Sequence, residues 1–144
     1  MIAHAGLIAA WLRGAWRGVL IEGPSGAGKS DLTLRALGQG FWLVADDRVS
    51  LWTSDGRLFG RAPDALFGLL EVRGLQVIQV PALRLAEVAL VARYGAPERI
   101  PEARSVDLLG VSVPLIELDL SQDSAAAKLS RALDHFDAAH KRRI

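Results

Sequence analysis

The run Gly23-Pro24-Ser25-Gly26-Ala27-Gly28-Lys29-Ser30 constrains this chain more than any other stretch of its 144 residues. Its pattern is Gly-x4-Gly-Lys-Ser, and each part has a physical task. The glycines let the backbone curl into a concave nest whose N–H groups converge on phosphate oxygens. Lys29 brings a mobile cation to the β- and γ-phosphates, and the hydroxyl of Ser30 can ligate Mg²⁺. The flanks agree. Val19-Leu20-Ile21 is a short apolar run of the buried-strand type. After Lys29, leucines at 32, 34 and 37 followed by Gly38 predict a helix with a glycine stop. The start of that helix adds its positive dipole end to the nest. The pattern therefore predicts a site for a nucleoside triphosphate with Mg²⁺; the alternative is a glycine-rich turn with no ligand.

The length suits one domain, 1–144, with its own core, and leaves no room for two of ordinary size. Hydrophobic residues make up 51% and charged residues 23%, which excludes disordered and fibrous classes. A net charge of +1 supplies no field to gather nucleic acid or an anionic membrane. Lys141-Arg142-Arg143 reads as a solvated chain end. The chain has no cysteine, which removes disulfides, thiolate metal sites and cysteine nucleophiles and fits a reducing compartment. The apolar start, 1–10, lacks a basic leader, and no run reaches the roughly 18 apolar residues of a membrane span. A soluble cytoplasmic protein is expected.

Along the chain, 41–45 reads as a second buried strand running into Asp46-Asp47. The segments 49–52 and 57–59 flank Ser54-Asp55-Gly56, a hairpin signal. A helical turn is expected near 65–69, with strand pieces at 70–72 and 77–80 around Arg73-Gly74. Residues 86–94 are rich in β-formers, 113–120 alternate as a strand, and 97–104 is a loop. Ser121 or Asp123 can cap a final helix with Ala126, Leu129, Leu133, Phe136 and Ala139 on its apolar face. The four tryptophans, Trp11, Trp16, Trp42 and Trp52, read as core or subunit-contact residues, since no basic stripe accompanies them as a base-stacking platform would require. The expected class is α/β: a P-loop strand–loop–helix within a mixed, strand-rich sheet with few helices.

A phosphate loop alone names no reaction. Phosphoryl transfer to a hydroxyl needs an acid that takes the hydroxyl proton, and further oxygen near the metal. Asp46 and Asp47 follow the apolar run Leu43-Val44-Ala45, and adjacent strand residues face opposite ways, so the two cannot have identical roles. The bland reading is a strand-end turn with two solvated aspartates.

Three segments, taken in order, resemble the bacterial HPr kinase/phosphorylase family. They are Val19-Leu20-Ile21-Glu22 with the phosphate loop, then Leu43-Val44-Ala45-Asp46-Asp47, then Gly68-Leu69-Leu70-Glu71-Val72-Arg73-Gly74-Leu75. The third is similar to that family's own signature. His4 falls where the family has a histidine, on the strand before the P-loop strand; taken alone it would read as a surface or packing residue. The likeness is good over roughly the first 80 residues and loose beyond. It implies ATP and Mg²⁺, a nucleotide site like that of phosphoenolpyruvate carboxykinases, transfer to a serine of HPr or a nitrogen-branch relative, and a hexamer. It further implies that Asp46 is the general base, with Asp47 in support and His4 close by. Ser30 and Glu71 belong to the metal environment, and Arg73 to a segment linked to the reverse reaction. By themselves, Glu71 and Arg73 also fit one face of an exposed strand.

Three departures stand out. Longer members carry an N-terminal domain with no match in this sequence, so the compact single-domain form is expected. The stretch Trp11 to Arg17, between His4 and the phosphate loop, is longer than usual. Val113-Pro114-Leu115-Ile116-Glu117-Leu118 replaces a late segment in which the family carries an active-site arginine. The expectation is a kinase with weak phosphorolysis. A small-molecule P-loop kinase, using the arginines of 94–104 as a lid, and a nucleotide-sensing module without catalysis are the competing readings.

Overall fold

Because strand side chains alternate between faces, a run that is apolar at every position is a strand buried on both sides. Three such runs build the middle of the sheet. A computed structural model describes residues 1–141, with side chains to residue 138. In chain order the elements are β1 (Ile2–Ala3), β2 (Ala5–Leu12), β3 (Ala15–Glu22), α1 (Lys29–Leu37), β4 (Trp42–Ala45), β5 (Val49–Ser54) and β6 (Arg57–Arg61). A 3₁₀ turn (Asp64–Leu66) leads to β7 (Leu69–Val72), β8 (Gln76–Gln79), β9 (Ala86–Tyr94), β10 (Arg104–Leu108), β11 (Val111–Leu118) and α2 (Ala125–Lys141).

One nine-stranded sheet follows the path β1-β5-β6-β9-β3-β2-β4, with the β10–β11 pair attached through β11 to β9; β7 and β8 form a separate two-stranded sheet. Strand β9 is the pivot. Along one side it runs parallel to β3. On the other it meets β6 antiparallel at Ala86 and Glu87, then β11 parallel from Val91 to Tyr94. Ile8, Val19, Ile21, Leu90 and Ala92 point to the face covered by α1 and α2. Their neighbours Leu7, Leu20 and Val91 point to the opposite face, with Leu51 and Leu58 of the β5–β6 hairpin. This is the mixed, strand-rich α/β sheet with few helices that the sequence predicts.

Three hairpins turn through two successive residues with positive φ: Arg13 (48°) and Gly14 (79°), Asp55 (53°) and Gly56 (73°), Leu109 (52°) and Gly110 (83°). That geometry matches the right-handed strand twist. Only the Asp55-Gly56 turn announces itself in sequence. Arginine and leucine are weak left-handed residues, which is why the β2–β3 and β10–β11 turns are not signalled.

Helix α2 begins later than expected. The segment after Leu118 first makes a separate turn in which Asp119 accepts hydrogen bonds from Ser121 N (3.0 Å) and Oγ (2.7 Å), the local behaviour that makes Asp a turn residue. Ser121 and Asp123 are therefore not its cap. Ala126, Leu129 and Leu133 are buried, as the helical spacing predicts, and Phe136 packs beside them. Ala139, Arg142 and Arg143 lie outside the residues whose side chains are described.

Of the tryptophans, expected in the core or at subunit contacts, none is fully buried; Trp16 and Trp52 are half-buried, and Trp16 packs against the core. Trp11 and Trp42 are 58% and 43% exposed, and Trp11, Trp16 and Trp42 make a chain of edge-to-face contacts at 5.5 and 5.9 Å. They lie towards the ends of β2, β3 and β4, where the sheet is too narrow to cover them. Among the described residues no helix is long and apolar enough to cross a membrane.

Candidate active site

Strand β3 delivers the chain to the loop 23–28, which turns directly into α1. Gly26 (φ 83°) and Gly28 (φ 102°) take left-handed conformations that glycine adopts at no steric cost. Ala27 N donates to Pro24 O at 3.1 Å, closing the turn, and Leu32 N donates to Gly28 O at 2.9 Å as α1 begins. The first N–H groups of a helix have no partner inside it. With the dipole behind them they make this corner a concave site for an anion. The Lys29 ammonium folds back over the corner and donates to the carbonyls of Gly23 and Pro24. Those carbonyls store a mobile cation beside the nest.

Asp46 ends the neighbouring strand system, since β4 pairs with β2 and β2 with β3. It is a charged residue 7% exposed, so it must be hydrogen bonded. One oxygen accepts from Ser30 Oγ at 2.8 Å and the other from the backbone N of Glu71 at 2.9 Å. A single carboxylate thus joins the start of α1, the end of β4 and the β7–β8 hairpin. A carboxylate has about four lone-pair sites, so two remain for a proton or a cation.

Asp47 is exposed, with φ of 68°. Its carbonyl accepts from Ala5 N at 3.1 Å, while Arg48 N donates to Asp46 O at 2.8 Å. His4, next to Ala5, is exposed and occupies a bend between β1 and β2. The sequence reading puts it on a strand. The bend exists because β1 pairs with β5 whereas β2 pairs with β3, so the chain must change partners there. His4 therefore reaches the acidic pair through the backbone contact of its neighbour.

Glu71 and Arg73 are exposed. Glu71 meets Asp46 through its main-chain N–H. Arg73 lies in the turn of the β7–β8 hairpin, where Gly74 has φ of 82° and Leu75 N donates to Val72 O at 2.9 Å. The loop 23–30, Asp46 and the Glu71 backbone come together; Arg73 stands apart at the hairpin tip. Among the described residues no group of three or more His, Asp or Glu side chains is placed to hold a metal. Mg²⁺ takes only one or two protein oxygens beside phosphates and water, and Ser30 Oγ with Asp46 is such a pair of hard donors.

Parallel register brings in a pair that the sequence does not announce. Glu22 stands opposite Arg93, and the two form an ion pair at 3.2 Å beside the loop. Arg104, a candidate lid residue in the small-molecule reading, instead sits on β10 and pairs with Glu117 of β11. Segment 113–118 forms most of β11.

The HPr Serine kinase C-terminal domain family matches residues 11–89, more than half of the chain. The HPr kinase/phosphorylase of Clostridium perfringens is 50% identical over 66 residues, 46% of this chain and 22% of that protein. That of Clostridium tetani is 48% identical over the same length and shares. The chain therefore matches about a fifth of the length of these curated relatives. The solved Hpr(Ser) kinase/phosphatase from Coxiella burnetii aligns over 99% of this chain and 97% of its own, with a TM-score of 0.75 and 26% identity. Sheet, glycine corner and family match agree: the chain belongs to the HPr serine kinase C-terminal domain family.

Proposed function

We propose that this chain is a protein-serine kinase that uses ATP and Mg²⁺ to phosphorylate HPr or a nitrogen-branch relative of it, acting in the cytoplasm as one kinase unit, 1–144, within a homo-oligomer. The observation that carries the reading is the junction of Ser30 Oγ, Asp46 and Glu71 N at the mouth of the glycine corner. It places one buried, fully oriented carboxylate within hydrogen-bond reach of the hydroxyl at the metal-ligand position of the motif.

In this reading the backbone of 23–28 and the N-terminus of α1 hold the phosphates. Lys29 leaves its carbonyl partners and follows the transferred charge. Ser30 and Asp46 would hold Mg²⁺, with Glu71 in the surrounding environment. When bound, the metal would supply charge neutralisation to the phosphates. Ser30 donates its own proton to Asp46, so its lone pairs face outward, as a ligand's must. Asp46 accepts the proton of the substrate serine as that oxygen attacks, and returns it when the reaction runs backwards. Asp47 and His4 support it from the adjoining bend. Arg73 serves the reverse direction from the hairpin tip.

A small-molecule kinase would need an arginine lid, and the engagement of Arg104 with Glu117 weighs against one. The deciding experiment is incubation with labelled ATP, Mg²⁺ and purified HPr-type carriers, with mapping of the phosphorylated residue. Label on one serine of a carrier is the expected result. ATP turnover onto small acceptors, with every carrier unlabelled, would refute it.

A further inference from the structure

A phosphate chain has two ends, and the acidic pair accounts for only one of them. Across the sheet the order is β9-β3-β2-β4. The glycine corner follows β3, and Asp46, which follows β4, accepts from Ser30, so a phosphate transferred at Asp46 would lie on the β2–β4 side. The rest of the nucleotide must leave on the other side, beyond β9 and β11. Both strands run parallel to β3. Their C-terminal ends therefore open on the same edge as the loop, the edge at which ligands of open α/β sheets sit.

A cleft of about 830 Å³ opens there, bounded by Tyr94, the segment after it, and the stretch from Leu118 to the first turns of α2. Tyr94, which lines it, also packs against the glycine corner. A Cβ on Gly23 would lie 2.9 Å from the Cβ of Tyr94 and 3.7 Å from Leu120, and one on Gly28 would lie 3.9 Å from Leu120. Its wall is tied to the phosphate-loop helix: Arg35 of α1 donates to the carbonyls of Leu120 and Gln122, and Gly95 N donates to Leu118 O at 3.1 Å. Tyr94 is 48% exposed, an aromatic ring at the mouth of this cleft. Lys128 and Gln122, hydrogen bonded to each other at 2.9 Å, supply polar groups on the facing side.

Resting on the reading of the glycine corner as an Mg·ATP site, we propose that this cleft holds the base and ribose of the nucleotide, with Tyr94 as the stacking surface. An aromatic ring offers a π-face to a base without demanding hydrogen-bond readout. The Lys128–Gln122 pair supplies a donor and an acceptor for the ribose hydroxyls.

The test is calorimetric titration of the whole chain and its variants with Mg·ATP and, separately, with Mg·tripolyphosphate, which has phosphates and no nucleoside. Tyr94→Ala keeps the Cβ that packs on Gly23, so the loop is undisturbed. It should weaken ATP binding by about 10-fold or more, the lower part of the range for loss of one base stack. Its tripolyphosphate affinity should stay within about twofold of the parent, since phosphate contacts do not involve the ring. Tyr94→Phe should bind ATP like the parent. Unchanged ATP affinity in Tyr94→Ala overturns the proposal, and so does an equal loss for both ligands, which would mean that the ring only supports the loop. A parent chain that binds tripolyphosphate as tightly as ATP also overturns it, leaving the phosphate site intact. Failure to bind either ligand removes the nucleotide reading as well.

Discussion

Replacing Asp46 in two ways separates its chemistry from its architecture. Asp46→Asn keeps the shape of the junction. The amide oxygen can accept from Glu71 N, and the amide N–H can donate to Ser30 Oγ, which turns its own proton outward. Bonds to a charged group contribute about 1.5–3 kcal/mol and neutral ones about 0.5–1.5, so each of the two loses about 1 kcal/mol. Relief from burying a charge offsets part of this. The Asn variant should stay folded, within roughly 2 kcal/mol of the parent in urea unfolding. Its rate on HPr should fall by about 10²–10⁴-fold, the usual cost of losing a general base. Asp46→Ala leaves the Glu71 N–H and the Ser30 hydroxyl without their acceptor. Each costs about 1–3 kcal/mol if shielded from water; Ser30 is only partly buried, so a total of about 2–3 kcal/mol is expected. The Glu71 amide should also lose protection in hydrogen exchange. Full activity in Asp46→Asn would remove the base, and an unchanged Glu71 amide in Asp46→Ala would refute the latch between β4 and the hairpin.

Other consequences are independent of that junction. Lys29→Ala should abolish transfer and weaken ATP binding strongly while the fold persists; parent-like ATP affinity in calorimetry would overturn the phosphate-loop assignment. Burial pushes the Glu87 carboxyl up, but the hydrogen bond and charge of Arg57, with those of Arg17, outweigh it and hold Glu87 below the usual range. The folded form thus binds its proton less readily than the unfolded chain. Its stability contribution is complete above the unfolded value of about 4.3 and fades as pH falls below it. The stability gap between parent and Glu87→Gln should accordingly shrink from pH 6 to pH 3, and a constant gap would refute the linkage. Gly60→Ala places a Cβ 2.7 Å from Leu7 Cδ2 and 2.9 Å from Val49 Cγ1; overpacking of this kind should cost about 1–3 kcal/mol in urea unfolding, and a neutral result would mean that the core yields there. Phosphorolysis sets two anions side by side, and 113–118 carries no arginine, so release from phosphoserine-HPr by millimolar phosphate should be slower than phosphorylation. Equal rates would refute this and direct attention to Arg93 and Arg73.

The conformation of the glycine corner was legible because its requirements are local. Two glycines at positive φ, a strand before and a helix after all lie within about twenty residues, and the local spacing exposes them. The double-faced strands were legible for the same reason, as runs such as Val19-Leu20-Ile21. What escaped depends on register or on main-chain groups. No property of the Glu71 side chain reveals that its backbone N–H is aimed at Asp46. The Glu22–Arg93 pair exists only because β3 and β9 align in parallel across some seventy residues of chain. Of the two readings of the tryptophans, core and subunit contact, the core one fails for Trp11 and Trp42 because hydrophobicity reports a preference for burial, whereas the ends of β2 and β4 determine what is available within the chain to cover them.

Asp47 is where local preference and tertiary demand collide, and the outcome explains the shape of the acidic corner. A non-glycine residue at φ 68° costs about 1–2 kcal/mol, less for aspartate than for most residues. The reversal it makes is unavoidable. Strand β4 must stop at Ala45 so that Asp46 stays beside Ser30, yet β5 must start at Val49 to pair with β1. Only three residues, Asp46 to Arg48, separate the two. The conformation is held from both sides, by Ala5 N on the Asp47 carbonyl and Arg48 N on that of Asp46. The β1–β2 bend that carries His4 is thus half of the clamp. The link runs through Ala5, the neighbour of His4, because the strand partners change on either side of that bend.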